Sequence, residues 1–313
     1  MAYDLESRLV IGVSSSAVFD LSESDAVFKR DGEEHYRKFQ EKNLDSPLPK
    51  GMSFSFVRRL LSLNDLSADP VNDPLVEVVL LSRNDPDTGL RVMKTIEHYG
   101  LKITRAIFMQ GKSPYDYIPA LNISLFLSGN RSDVDSAIKS GYPAGHVLDS
   151  KIIDDEGDSS LRIAFDFDGV LAGDESEVVM QSEGLTQFHA HEVRNVTQPH
   201  NPGPLKEFLV RISKIQSVEE QRKISDPKYK NRLRVSIVTA RNAPSHERAL
   251  NTLKNWGVMA NDAFFLGGIE KGKVLGVLRP HIFFDDQSGH LRAASALVPS
   301  VHVPFGITNE QVS

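Results

Sequence analysis

"LRIAFDFDGVLAGDESE", residues 161–177, decides how this chain of 313 residues is read. Leu161 to Phe165 is a short apolar run, the pattern of a buried strand. It delivers Asp166, then Asp168, then Gly169. Alternate residues of a strand share a face, so Asp166 and Asp168 point the same way. Two carboxylates converging at the end of a buried strand repel each other and are tolerated mainly where a cation is bound. Gly169 lets the chain turn tightly beside that cation. A lone DxD is more often a solvated turn, so the remaining segments carry the decision.

Three further segments share the pattern. "LRVSIVTARN" (233–242) is an apolar strand ending on Thr239, with Ala240 and Arg241 just beyond. "FFLGGIEKGKV" (264–274) is a short strand, a Gly-rich turn, then Lys271 and Lys273. "RPHIFFDDQSGH" (279–290) is a strand ending on Asp285 and Asp286. Helical stretches lie between them. In "SHERALNTLKNWG" (245–257) Ala249, Leu250, Leu253 and Trp256 are spaced three and four apart, and Gly257 is a stop. Strand–helix alternation implies a parallel α/β sheet with right-handed crossovers. Ligands of such sheets bind beyond the carboxyl ends of the strands, so the four polar groups share one crevice. The set has a chemical logic. A carboxylate can attack phosphorus, and a neighbouring acid can protonate the leaving alkoxide and later activate water. Mg²⁺ takes oxygen ligands, and a lysine and a threonine hydroxyl can hold the phosphoryl oxygens.

From Leu161 to about His302 these residues resemble the haloacid dehalogenase superfamily of phosphotransferases. "DFDGVL" matches its first motif, Thr239 its second, Lys271 its third and "FDDQ" its fourth. The resemblance implies Asp166 as nucleophile and Asp168 as general acid/base. It implies Mg²⁺ held by Asp166, the Asp168 backbone carbonyl and one or both of Asp285 and Asp286, with Lys271 as phosphate clamp. Lys273 is the rival clamp, and its plainer reading is a solvated lysine at a helix start. Over about 9–307 the chain is similar, more particularly, to the type I cytosolic 5'-nucleotidases. "VSSSAVFD", "SRNDPDTGLRVMKTIEHYGL", "FMQGKSPYDYI", "NPGPLKEFL" and "LGGIEKGKVL" carry that likeness. It implies Mg²⁺-dependent hydrolysis of nucleoside 5'-monophosphates, AMP-like, through an aspartyl-phosphate. Gly169, Ala240 and Arg241 would line the substrate.

The chain also resembles itself. A shift of 152 residues over 9–60 pairs Leu9 with Leu161, Ile11 with Ile163, Glu23 with Glu175, Gly32 with Gly184 and Phe56 with Phe208. A shift of 157 over 75–111 pairs Val78 with Val235, Arg91 with Arg248, Thr95 with Thr252 and Gly111 with Gly268. The expected architecture is therefore two tandem Rossmann-like, haloacid dehalogenase-type domains, over 1–150 and 151–313. The chemistry differs between them. Asp166 aligns with Ser14, Asp168 with Ser16, Thr239 with Ser82, Lys271 with Pro114, Asp285 with Ser128 and Asp286 with Gly129. The first copy is expected to be catalytically dead. It is left as a packing partner, a lid, or a site for a nucleotide effector, where serine hydroxyls and backbone N–H groups suit a phosphate.

The insert at about 174–231 is expected to cap the second crevice. Phe188 and His191 could meet a base there; the plainer alternative is a core phenylalanine and a solvated histidine. "KIQSVEEQRKISDPKYKNRLR" (214–234) reads as an exposed loop or helix end. Composition bounds the rest. Net charge is -6, with 36 Lys+Arg against 42 Asp+Glu and no long basic run, so no nucleic-acid polymer is expected as partner. There are no cysteines, which excludes disulfides and thiolate metal sites and fits a reducing cytoplasm. No signal peptide and no apolar stretch long enough to span a membrane is expected. Self-association into a homo-oligomer stays open. Two rivals remain: the same chemistry on another phosphomonoester, and a non-catalytic nucleotide sensor.

Overall fold

A computed structural model describes residues 4–150, 152 and 154–309. The chain divides into two compact units, Met1–Tyr142 and Pro143–Ser313. In the first, β1 (Leu9–Val13) runs into the short helix α1 (Ser15–Val18), then α2 (Ser22–Lys42) and α3 (Phe54–Ser62). Next come β2 (Val76–Ser82), α4 (Pro86–His98), β3 (Arg105–Phe108), β4 (Leu125–Ser128) and α5 (Arg131–Lys139). Its strands stand in the order β3-β2-β1-β4, all parallel. β1, β2 and β4 are buried along their whole length, as an apolar run covered on both faces requires.

The second unit holds β5 (Ala144–Val147), β6 (Leu161–Phe165), α6 (Glu175–Glu183), α7 (Leu185–Arg194) and α8 (Lys206–Ser225). β7 (Leu233–Thr239), α9 (His246–Asn255), β8 (Asp262–Phe265), α10 (Lys271–Leu278), β9 (Ile282–Asp285), α11 (Ser288–Ala294) and β10 (Ser300–His302) follow. The order is β5-β10-β9-β6-β7-β8. Among the described residues one antiparallel ladder departs from the all-parallel expectation: β5 meets β10 through Val147–Val301 and His146–His302. Those contacts place the division before β5 rather than after residue 150.

The ladders of the two units share one register. Leu9 faces Val76 as Leu161 faces Leu233; Ile11 faces Leu125 as Ile163 faces Ile282; Val79 faces Arg105 as Ser236 faces Asp262. The shifts of 152 and 157 carry each pair onto its counterpart. A second coincidence lies outside the sheet. Gly32 breaks α2 at φ 79°, and Gly184 separates α6 from α7 at φ 82°. Only glycine takes that extended, positive-φ conformation at little cost, so both hairpins kink at the same place.

Segment 174–231 is not one cap. α6 and α7 form a helical hairpin, but α8 is a crossover helix of the core. Its Phe208, Leu209, Ile212 and Ile215 are buried. Phe208 packs edge-on to Phe165 and Phe284, centroids 6.0 and 6.1 Å away, and those two rings stack at 5.2 Å. The first unit carries its own hairpin and third helix at the matching positions, so the hairpin is not peculiar to the second. The charged stretch expected as an exposed loop or helix end is largely the end of α8. Its Glu219 is fully buried and accepts from Arg232 N (2.9 Å), Leu233 N (3.0 Å) and Tyr229 Oη (2.5 Å). It satisfies backbone donors where β7 begins, which sequence polarity alone hides.

Candidate active site

β6 and β9 lie side by side and end together. Asp166 follows β6 and is tied to β9 by its backbone, its N–H donating to Phe284 O at 2.8 Å. Asp285 is the last residue of β9. After β8 the chain turns through Gly267 (φ 55°) and Gly268 (φ 88°) into α10, whose first residue is Lys271. The Lys271 ammonium sits 2.6 Å from Asp166 Oδ2 and 2.7 Å from Asp285 Oδ2. All three side chains are buried. Lys273, the rival clamp, faces solvent.

Asp286 adds a third carboxylate. Its Oδ2 accepts from Thr308 Oγ1 at 2.7 Å, while Oδ1 is buried without a hydrogen-bond partner. Gly169 stands against it. A Cβ there would lie 2.6 Å from Asp286 Cγ and Oδ2, and φ is 71°, so the turn after Asp168 needs glycine twice over.

Three carboxylates around one ammonium leave excess negative charge in a buried place. Burial pushes Asp286 up to about 9, reinforced by the charges of Asp166 and Asp285. Burial pushes Asp166 up to about 6, with Lys271 pulling the other way. Burial also opposes the charge on Asp285, but Lys271 and His290 outweigh it and hold that carboxyl below its usual range. Asp166, Asp285 and His290 offer ligand atoms within 4.8 Å of one another. Hard oxygen donors, surplus negative charge and an orphaned Asp286 Oδ1 fit a divalent cation. His290, 3.3 Å from Asp285 through Nδ1, was not foreseen. Its place five residues beyond the end of β9, on α11, was the only signal.

Asp168 is held differently. Both its oxygens accept from one guanidinium: Arg241 Nε to Oδ2 at 2.7 Å and Nη2 to Oδ1 at 2.6 Å. Such a fork is the strongest pairing these groups make. Arg241 is itself buried and reaches Glu192 through Nη1, so its guanidinium is engaged by protein rather than open to a ligand. Thr239, last in β7, is buried and its Oγ1 accepts from Arg241 N at 3.3 Å. Ala240 beside it is exposed. Phe188 is buried, its ring 5.3 Å from the Arg241 guanidinium. His191 Nδ1 lies 3.1 Å from Glu192 Oε1. Phe188 thus packs on Arg241, and the half-buried His191 on Glu192. Glu192, His200, Arg248 and Glu175 complete this layer, and the sequence reading gave none of them a role. The pairing of Arg91 with Arg248 in the internal repeat was the available signal.

A carboxylate beside a buried lysine, a second carboxylate two residues on and an acidic cluster that suits a cation, all at the carboxyl ends of a parallel sheet, fit a phosphoryl-transfer type of site. Residues 1–310 match the family model described as 5'-nucleotidase, and the chain belongs to that family. It is 33% identical over 297 residues to human "Cytosolic 5'-nucleotidase 1B", covering 93% of this chain and 48% of that protein. The chain thus spans about half the length of the curated relative it matches. No solved structure matches it.

Proposed function

We propose that the protein is a Mg²⁺-dependent 5'-nucleotidase that splits nucleoside 5'-monophosphates, AMP among them, into nucleoside and phosphate. The observation that carries this reading is Lys271 bridging Asp166 and Asp285 at the ends of two adjacent strands. Family membership supports the substrate class.

In this reading Asp166 attacks phosphorus, an aspartyl–phosphate bond forms, and the bond to the 5'-oxygen breaks. The leaving alkoxide takes a proton from Asp168. A water, losing its proton to Asp168, then cleaves the acyl phosphate and frees Asp166. Lys271 faces the phosphoryl oxygens, and Thr239 provides a hydroxyl at the neighbouring strand end. Asp166, Asp285 and Asp286 would hold the Mg²⁺, with the Asp168 carbonyl as a fourth donor; bound there it offsets phosphate charge.

Phosphate release from AMP with and without Mg²⁺ tests the reading. Release that persists undiminished in Asp166→Asn would overturn the mechanism. Release from sugar phosphates but not from nucleotides would move the substrate class.

The first unit is proposed to be a catalytically dead copy. Its Ser14 and Ser16 hydroxyls bond each other at 3.0 Å, and Ser15 bonds Ser82 at 2.8 Å. It keeps a cavity of about 600 Å³, lined by Asp25, Glu33, Tyr36, Arg83, Asn84 and Asp85 among others. Ser14, Ser16 and Ser82 do not line that cavity, and the effector site is proposed at these strand-end serines. Equal binding of nucleotides to a Ser14/Ser16/Ser82 triple-alanine variant and to the wild type would remove those serines from the effector site. A cytoplasmic location is proposed from the relative's name; among the described residues no helix is long and apolar enough to cross a membrane.

A further inference from the structure

We infer that Glu192 is a positioning residue: it locks the Arg241 guanidinium so that the forked edge stays aimed at Asp168. The inference rests on the reading of Asp168 as acid and base. Glu192 is fully buried on α7. Its Oε2 takes Arg241 Nη1 and lies 3.0 Å from His200 Nε2. Its Oε1 accepts from Arg248 Nη1 and Ser176 Oγ, both at 2.9 Å. Arg241 is thereby held on every arm. Nε and Nη2 grip Asp168, Nη2 lies 3.0 Å from His200 Nε2, and Nη1 also reaches Ser245 O at 3.1 Å. The rings of Phe167 and Phe188 lie 5.2 and 5.3 Å from its carbon.

A buried charge chain of this kind has two readings: it glues the hairpin to the sheet, or it serves Asp168. The first unit separates them. Its hairpin has the same kink and its sheet the same register, and the scaffold bonds recur. Arg91 Nη1 donates to Gln40 Oε1 at 3.1 Å, where Arg248 donates to Glu192. Leu48 N donates to Thr95 Oγ1 at 3.1 Å, and His200 N to Thr252 Oγ1 at 3.1 Å. Arg248 and Glu175 are kept as Arg91 and Glu23, but the groups that meet Asp168 and Arg241 are replaced. The repeat puts Gln40 at Glu192, Asn84 at Arg241, Leu48 at His200 and Ser16 at Asp168. The hairpin therefore closes without counterparts of the Glu192 carboxylate, the Arg241 guanidinium or the His200 imidazole. Those groups occur only in the unit that has a carboxylate to aim. Burying such charges costs stability unless every partner is met, so a purely structural contact has no need of them.

The test is Glu192→Gln in the full chain, which installs the first unit's residue. Beside it stand Glu219→Gln, a second fully buried carboxylate far from the fork, and Arg241→Asn alone and combined with Glu192→Gln. Glu192→Gln should lower kcat on AMP by about 10–100-fold, the usual cost of losing a supporting partner, with KM within about threefold. Glu219→Gln should lower the melting temperature and leave kcat of the folded enzyme near wild type. Because Glu192 acts through Arg241, the Glu192/Arg241 double variant should be no slower than Arg241→Asn. A kcat for Glu192→Gln within about twofold of wild type overturns the inference, as does a rise in KM alone. So does a double variant whose losses multiply; that comparison decides the matter if Glu192→Gln alone folds poorly. Wild-type phosphate release is measured in the same assay, so its absence counts against the proposed function and not against the positioning role.

Discussion

The two units share a backbone plan and differ in what stands at its strand ends. Where the second has Asp166, Asp285 and Lys271 in one buried ionic cluster, the first has Ser14, Ser128 and Pro114. Where the second has His290, the first has Asp133, closed off by Arg83, whose Nε lies 3.0 Å from both carboxylate oxygens. One unit keeps surplus negative charge in a buried pocket; the other pairs or removes its charges. The scaffold tolerates either set, because the register is fixed by apolar strands whose side chains never reach the crevice. Chemistry is added at the strand ends without touching the core.

The sharpest break in this comparison comes from activity. Asp166→Asn should cost at least about 10³-fold in turnover, since no other group replaces a lost nucleophile. Ser14→Ala at the matching position should leave turnover within about twofold, as measured by phosphate release. A large loss from Ser14→Ala would refute the assignment of the first unit as dead. Next comes the scaffold. Phe208 and Phe56 occupy matching, fully buried positions. Each change to alanine should cost about 3–5 kcal/mol by denaturant unfolding. Losses differing by more than about 2 kcal/mol would show that the two cores are not equivalent.

The pocket charge gives a pH test that only the second unit should feel. Asp286 is pushed up to about 9, so the folded state binds a proton that the unfolded chain releases near pH 4. That contribution to stability is complete below about pH 4 and is lost as pH rises through about 9. Without metal, melting temperature should fall across that window, and Asp286→Asn should flatten the fall. A cation needs the carboxylates ionised, so its binding should release protons, seen in calorimetry as a heat that varies with buffer. Metal uptake without proton release would contradict this charge balance. The smallest effect expected is at the hairpins. Gly32→Ala and Gly184→Ala meet no neighbouring atom and should each cost about 1–3 kcal/mol of backbone strain. Unequal costs would mean that one kink is not built like the other.

Much of the candidate site is legible in the sequence. Asp166, Thr239, Lys271, Asp285 and Asp286 could be named because each follows an apolar run, and strand ends are where such sheets place ligands. The repeat was legible because identities and apolar positions return at fixed spacings. The role of Arg241 was not. A cationic residue after a strand reads as a ligand contact, and only the folded chain shows both its arms on Asp168. For Phe188 and His191 the sequence leaves a base contact and a core phenylalanine with a solvated histidine equally open; the fold buries Phe188 against Arg241 and sets His191 beside Glu192. Glu219 looked solvated among charged neighbours until α8 brought it to the first backbone donors of β7.

By itself, then, the sequence determined the strands that end on the polar residues of the candidate site, that their plan occurs twice, and which copy keeps the carboxylates and the lysine. These are local properties, written in periodicity and in the residue that ends each run. Tertiary structure alone decided that Lys271 bridges Asp166 and Asp285, that Asp286 is left with an orphaned oxygen, and that Glu192 reaches Asp168 through Arg241. Those outcomes depend on residues up to about a hundred positions apart meeting in a buried place. There, a charge is defined by what surrounds it rather than by its neighbours in the chain.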